Sequence, residues 1–124
     1  MELLFDTNIL ISYSKNKDDG LVDFLSSQDH EFYTSVVSLA EFRAGFAKDE
    51  LILYREFIKA FTPLSLDLNA AELAGEFFYG FKKQGLNVNL RDHFIAATAI
   101  NRNMTLVTFN KKDFPHKDLK LYPI

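Results

Sequence analysis

Short apolar runs, too brief for helices, alternate along this chain with longer segments of helical period. Leu3-Leu4-Phe5 stops at Asp6-Thr7-Asn8, and Pro63-Leu64-Ser65-Leu66 gives way to Asp67. Phe32-Tyr33-Thr34-Ser35 and Thr105-Leu106-Val107-Thr108-Phe109 are two further runs, and a last one lies in Leu119-Lys120-Leu121-Tyr122. Runs of this length read as strands, buried on both faces where they are continuously apolar. Strands separated by helices are joined by crossovers, which make neighbouring strands parallel. The expectation is an α/β fold with a mostly parallel central sheet, formed by residues 1–124 as a single domain without repeats or linkers.

The helices are read from periodicity and caps. Thr7 or Asn8 is the expected cap of the first, and Leu21 to Ser27 forms a second. Ser35 or Ser38 starts a helix running to about Ala47. Leu51 to Phe61 places Leu51, Tyr54, Ile58 and Phe61 on one side. Asp67 caps a long helix through Lys83 that closes at Gly85, and Asn89 caps Leu90 to about Arg102.

Composition removes several alternatives. The 124 residues contain no cysteine, so disulfides and thiolate metal sites are ruled out and a reducing cytoplasm suits the chain. No stretch approaches the roughly 20 apolar residues of a membrane span, and the acidic start does not resemble a signal peptide. The cytoplasm is therefore the expected location. A net charge of −3 argues against gripping nucleic acid through broad phosphate electrostatics, although acids that hold metal ions lose that charge. Thirteen phenylalanines are many for this length, which suggests an exposed apolar face and a homodimer.

The chemistry-bearing residues are acids. Asp6 directly follows a strand, where ligands bind in open parallel sheets, yet it also suits a cap or turn. Glu41 lies among small and apolar residues in Ser38-Leu39-Ala40-Glu41-Phe42-Arg43-Ala44-Gly45 and needs a cation, whether a ligand or a nearby Arg43 or Lys48. Asp92 has Ala96 and Ala99 along its side of a helix, and its place in the first turn also favours an acid for dipole reasons. Asp113 follows the clearest strand, with Asn110 closer to that strand and competing for the same role. Acids gathered in one pocket repel and require cations, and hard oxygen ligands suit Mg²⁺ or Mn²⁺. Two such ions about 4 Å apart activate water and stabilise the leaving oxygen of a phosphodiester.

These motifs, in order, resemble those of PIN-domain proteins, in particular the VapC toxins of toxin–antitoxin pairs. Leu4-Phe5-Asp6-Thr7-Asn8-Ile9-Leu10 resembles the opening motif, and Ser35 to Gly45 the second, with Glu41 as its acid. Asp92 to Ala99 resembles the third motif, and Leu106 to Phe114 the fourth. The resemblance implies a three-layer α/β/α fold and Mg²⁺- or Mn²⁺-dependent endoribonuclease activity on tRNA or rRNA, held in check by a small antitoxin. It makes Asp6 and Asp92 the principal metal ligands with Glu41 joining them, and Asn8 and Thr108 polar supports. The fourth catalytic acid falls at Asp113 or, as in other relatives, at the place of Asn110.

Rival readings are weaker. A dehalogenase-type phosphatase needs a second acid where Asn8 stands. No Gly-x-Ser-x-Gly elbow supports a serine hydrolase. His30, His93 and His116 lack metal-ligand spacing, and His93 points about 100° from Asp92 as a packing or surface residue. A non-catalytic PIN-like module that binds protein or RNA remains the alternative from another class; the retained acids favour the enzyme. Lys82-Lys83, Arg91 and Lys111-Lys112 offer a local basic rim for RNA.

Overall fold

The computed structural model describes residues 1–124. Five parallel strands form one sheet: β1 (Glu2–Phe5), β2 (Glu31–Ser35), β3 (Thr62–Leu64), β4 (Thr105–Val107) and β5 (Lys120–Leu121), in the order β3-β2-β1-β4-β5. Helices cover both faces, which gives the three-layer α/β/α architecture. They are α1 (Thr7–Ser14), α2 (Leu21–Ser26), α3 (Val36–Ala44), α4 (Leu51–Ile58), α5 (Leu68–Lys83) and α6 (Leu90–Asn101).

The two faces follow from the period of two along the strands. Leu3, Phe5 and Val107 point to one side and pack with Ile9, Leu10, Val22, Leu25 and Phe42 from the first three helices. Leu4 and Leu106 point to the other, against Ile95, Ala96 and Ala99 of α6. Much of the phenylalanine is thereby explained. Phe5, Phe32 and Phe61 make aromatic contacts with centroids 4.7 to 5.7 Å apart, and beside them Phe42 and Phe46 pack on Tyr54 and Phe57 packs on Tyr13. Phe24, Phe78 and Phe109 are exposed.

On the opposite side, His93 and His116 are buried, with Nδ1 of one 2.9 Å from Nε2 of the other, inside a ring of Phe77, Phe81 and Phe114. Burial pushes both imidazoles down, His116 to about 4, so the pair is neutral and one ring donates to the other. His93 is thus a packing residue, the first of the two roles its helical position allows.

Most expected elements stand, with shifts at their ends. Asp6, rather than Thr7 or Asn8, caps α1: its Oδ1 accepts from the Thr7 N–H at 2.8 Å. Ser35 caps α3, accepting from the Ser38 N–H, but the helix ends at Ala44 instead of Ala47, where the chain turns at Gly45 and Arg43 donates to the Phe46 carbonyl. Helix α4 stops at Ile58, yet Phe61 still enters the same core. Strand β4 ends at Val107 rather than Phe109, because its neighbour β1 ends at Phe5 and the Asp6 N–H takes the Val107 carbonyl. Asp67 caps α5 through the Ala70 N–H, and Gly85, at φ +78°, closes it in the left-handed region that favours glycine. Asn89 occupies the cap position of α6 without a side-chain bond.

Helices α5 and α6 run antiparallel, with Arg102 after α6 placed 3.9 Å from Asp67 before α5. They meet through Ala70, Ala74 and Ala97, small residues that let the helices approach closely. Ala74→Leu should therefore cost about 1–3 kcal/mol by overpacking. Ala71→Leu, exposed on the same helix, should stay within about 0.5 kcal/mol of wild type. Urea denaturation of both variants measures the contrast, and equal stabilities would show that this seam is not closely packed.

Candidate active site

The strand order reverses direction of growth between β1 and β4, so their carboxyl ends flank the crevice of the sheet. Asp6 follows β1 there and Thr108 follows β4. The Thr108 hydroxyl donates to Asp6 Oδ2 at 2.8 Å, while the Asp6 Oδ1 accepts the Thr7 N–H. Asp6 is only 2% exposed, and its two oxygens are thus fixed from both neighbouring strands.

Glu41 approaches from α3. Its Oε1 accepts the Thr7 hydroxyl at 2.8 Å, and its Oε2 accepts Arg91 Nη1 at 2.7 Å. Glu41 is half-buried rather than enclosed, and its cation is neither Arg43 nor Lys48 but a residue fifty positions away. Asp92, 3% exposed in the first turn of α6, accepts Arg91 Nη2 at 2.7 Å and Nε at 3.1 Å, both on Oδ1. The 3-10 turn Lys111–Asp113 brings Asp113 near enough that its charge acts on Asp92.

The electrostatics tie these groups together. Burial raises the Asp6 carboxyl above the ordinary carboxylate range; bonds from Thr108 and Thr7 oppose the rise, and the charge of Asp92 adds to it. Burial also raises Asp92, Arg91 opposes it, and the charges of Asp113 and Glu41 add. Four acids from four separate stretches of chain therefore share one electrostatic site with one bonded guanidinium. No three acids or histidines already converge at metal-ligand distances.

The supports differ in part from expectation. Thr108 holds Asp6 as the motif predicts, and Asn110 contributes through its backbone N–H, 3.0 Å from the Thr108 hydroxyl, while its side chain makes no hydrogen bond. Asn8 is exposed and bonds to no carboxylate. Thr7 takes that place, because successive helical residues point about 100° apart and only one of the two faces inward. Thr7 and the bridging role of Arg91 were missed. The adjacency of Thr7 to Asp6 was the only signal for the first; the second lay in no local pattern.

Carboxylates at the carboxyl edge of a parallel sheet, beneath helices on both faces, define an α/β protein with an acidic site. The PIN domain family model matches residues 3–120, and the chain belongs to that family. Among curated relatives, it is 30% identical over 122 residues to the ribonuclease VapC of Rickettsia bellii (strain RML369-C), with 92% of this chain and 89% of the relative covered. It is 28% identical to the tRNA(fMet)-specific endonuclease VapC of Shigella flexneri, covering 92% and 90%. The fold is similar to that in the crystal structure of VapBC2 from Rickettsia felis bound to a DNA fragment from their promoter, with a TM-score of 0.86, 25% identity and 98% of both chains covered.

A carboxyl group raised on folding binds protons better in the native state than in the unfolded one. Its contribution to stability is then greatest in acid and falls as pH rises through the ordinary carboxylate range to the raised value. Asp6→Asn keeps an oxygen for the Thr7 N–H and carries no charge. Measured in EDTA, its stability relative to wild type should improve between about pH 4 and pH 7. A relative stability that falls over that interval would contradict a carboxyl raised by burial beyond what Thr7 and Thr108 offset.

Proposed function

We propose that this chain is a divalent-metal-dependent endoribonuclease, the toxin of a type II toxin–antitoxin pair, acting on tRNA or rRNA. The observation that carries this reading is the meeting of Glu41 and Asp92 on one guanidinium at the sheet edge where Asp6 stands, with the charge of Asp113 acting on Asp92. The names of its ribonuclease relatives support the same chemistry. The donor set fits Mg²⁺ or Mn²⁺: all the side chains are hard oxygen ligands, and no cysteine or histidine competes. Asp6, Glu41 and Asp92 would hold the ion, and Asp113, whose charge acts on Asp92, completes the acidic set in preference to the uncharged Asn110. When bound, the metal supplies an activated water and a Lewis acid for the phosphodiester.

The chain's own residues prepare that site. Thr7 and Thr108 restrict the oxygens of Asp6 and Glu41 to one orientation each, which lowers the cost of assembling ligands on binding. Burial of Asp6 and Asp92 keeps their fields unscreened. Lys112 on the following turn and Arg91 provide local positive charge for the RNA backbone on an otherwise acidic chain, while Lys111 is engaged with the Ile124 oxygen. The name of the Shigella relative favours tRNA as the substrate class.

An antitoxin is the proposed protein partner, supported by a VapBC structure and a toxin–antitoxin complex among the structural relatives. Beside Glu41 lies a groove of about 280 Å³ lined by Ile11, Phe42, Phe46, Leu53 and Phe57. Its apolar floor suits the apolar face of a helix laid along it. A homodimer is proposed as well. Leu68, Phe78, Tyr79, Leu86 and Leu90 are exposed on and around α5 and the start of α6, more apolar surface than an isolated chain needs. Sedimentation at micromolar concentration should give the mass of two chains; a strict monomer would remove the dimer and leave the nuclease intact.

Asp92→Asn separates enzyme from binding module, since it keeps shape and removes charge. RNA cleavage with Mg²⁺ should fall by more than the about 10- to 100-fold that losing a supporting partner costs, and Thr108→Val should fall within that smaller range. Wild-type cleavage by Asp92→Asn, or cleavage that persists in EDTA, would falsify the metal mechanism. A chain that binds RNA without cutting it would be the non-catalytic PIN-like module.

A further inference from the structure

We propose that Arg91 is a built-in counter-cation that competes with the divalent ion for Glu41 and Asp92, so that metal binding requires its displacement. The inference rests on the metal-dependent reading above and concerns how that site is controlled. Three N–H donors of one guanidinium are spent on two acids carried by different helices: Nη1 on Glu41 Oε2 at 2.7 Å, and Nη2 and Nε on Asp92 Oδ1 at 2.7 and 3.1 Å. No other lysine or arginine bonds to Asp6, Glu41 or Asp92. Arg43 is held at the Phe46 carbonyl, Lys111 at the Ile124 oxygen, and Arg102 lies at the far end of α6 against Asp67.

The position of Arg91 is otherwise unfavourable for a cation. It lies in the first turn of α6, where the partial positive charge of the helix N-terminus repels it and favours the neighbouring Asp92. Its bonds to the two acids offset that cost. The guanidinium is also bulkier than a bare ion. With it between Glu41 and Asp92, no three acids stand at metal-ligand spacing, and the second oxygen of Asp92 accepts no hydrogen bond.

A dication that drew Glu41 and Asp92 inward would take the oxygens Arg91 now uses. The Arg91 side chain is 37% exposed, so it can swing into solvent without breaking the core. In the metal-free state it offsets part of the repulsion among the acids and holds α3 to α6. The arrangement sets a threshold: the site closes on itself at low metal concentration and opens only when the ion outbids an internal cation.

The test is calorimetric titration of the metal-free full chain with Mn²⁺, supported by melting temperatures with and without the ion. Arg91→Gln keeps a hydrogen-bonding amide on a shorter side chain and removes the charge; Arg91→Lys keeps the charge. Arg102→Gln removes the same charge from the opposite end of α6 and controls for net charge. Arg91→Gln should bind Mn²⁺ about three- to tenfold more tightly than wild type, the equivalent of two partly exposed ion pairs. Arg91→Lys and Arg102→Gln should stay near the wild-type affinity. The Mn²⁺-induced rise in melting temperature should also be larger in Arg91→Gln, because its metal-free form has lost the bridge. Equal or weaker binding by Arg91→Gln, with wild type binding normally, overturns the proposal and leaves the metal site standing. Failure of both proteins to bind at millimolar Mn²⁺ overturns the proposal together with the metal reading. Binding by Arg91→Gln alone supports it in its strongest form.

Discussion

A carboxylate taken out of water has to be solvated by the protein that buries it, and around Asp6 that need organises the centre of the molecule. Its Oδ1 takes the first N–H of α1 and its Oδ2 takes the Thr108 hydroxyl beyond β4. One side chain thus caps a helix and ties the ends of two neighbouring strands. Its backbone N–H closes the β1–β4 ladder on the Val107 carbonyl. The capping role and the site role of Asp6 are not alternatives. The bond that ends the strand and starts the helix also presents the carboxylate to the crevice.

The remaining acids come to the same place for topological reasons. With strand order β3-β2-β1-β4-β5, the sheet grows from β1 to one side through β2 and β3 and to the other through β4 and β5, and the carboxyl edges of β1 and β4 face a gap that no connection fills. Helix α3 leaves β2 beside that gap and carries Glu41, while α6 begins at it with Asp92. Nothing in the packing requires those acids. The cores lie on the two faces of the sheet, built from Leu3, Phe5 and Val107 on one side and Leu4, Leu106 and α6 on the other. The site stands at the edge of both, where side chains can be chosen for charge instead of volume.

The two faces are built differently, and this bears on function. Beneath α1 to α4, interlocking aromatic rings fill the core and continue to the lining of the groove next to Glu41 through Phe42, Phe46 and Phe57. The other face uses alanines to bring α5 against α6, with a neutral histidine pair caged by phenylalanine beside them. That close seam fixes α6 and hence Asp92. The aromatic face borders the surface on which a partner chain is proposed to lie.

Much of this was legible in the residues themselves. Alternating short apolar runs and helical periods determine a parallel α/β sheet, since period two and period 3.6 cannot exchange places without exposing the core. The acids Asp6, Glu41 and Asp92 stood out as charges in apolar or small surroundings or directly after a strand, and the cap Asp67 was readable because capping is local, with Ser35 one of two serines offered for α3. What stayed hidden depended on contacts across the chain. Strand β4 ends at Val107 because a neighbour runs out, a fact that β4's own residues do not contain. Thr7 rather than Asn8 supports Glu41 because of how α1 is turned against α3. Arg91 reaches an acid fifty positions away only after the crossovers have brought α3 and α6 to one edge. The sequence determined the elements and the candidate acids through local period and local charge. The tertiary structure alone decided which partner each acid has, because a hydrogen bond is fixed by distance in space and not by distance along the chain.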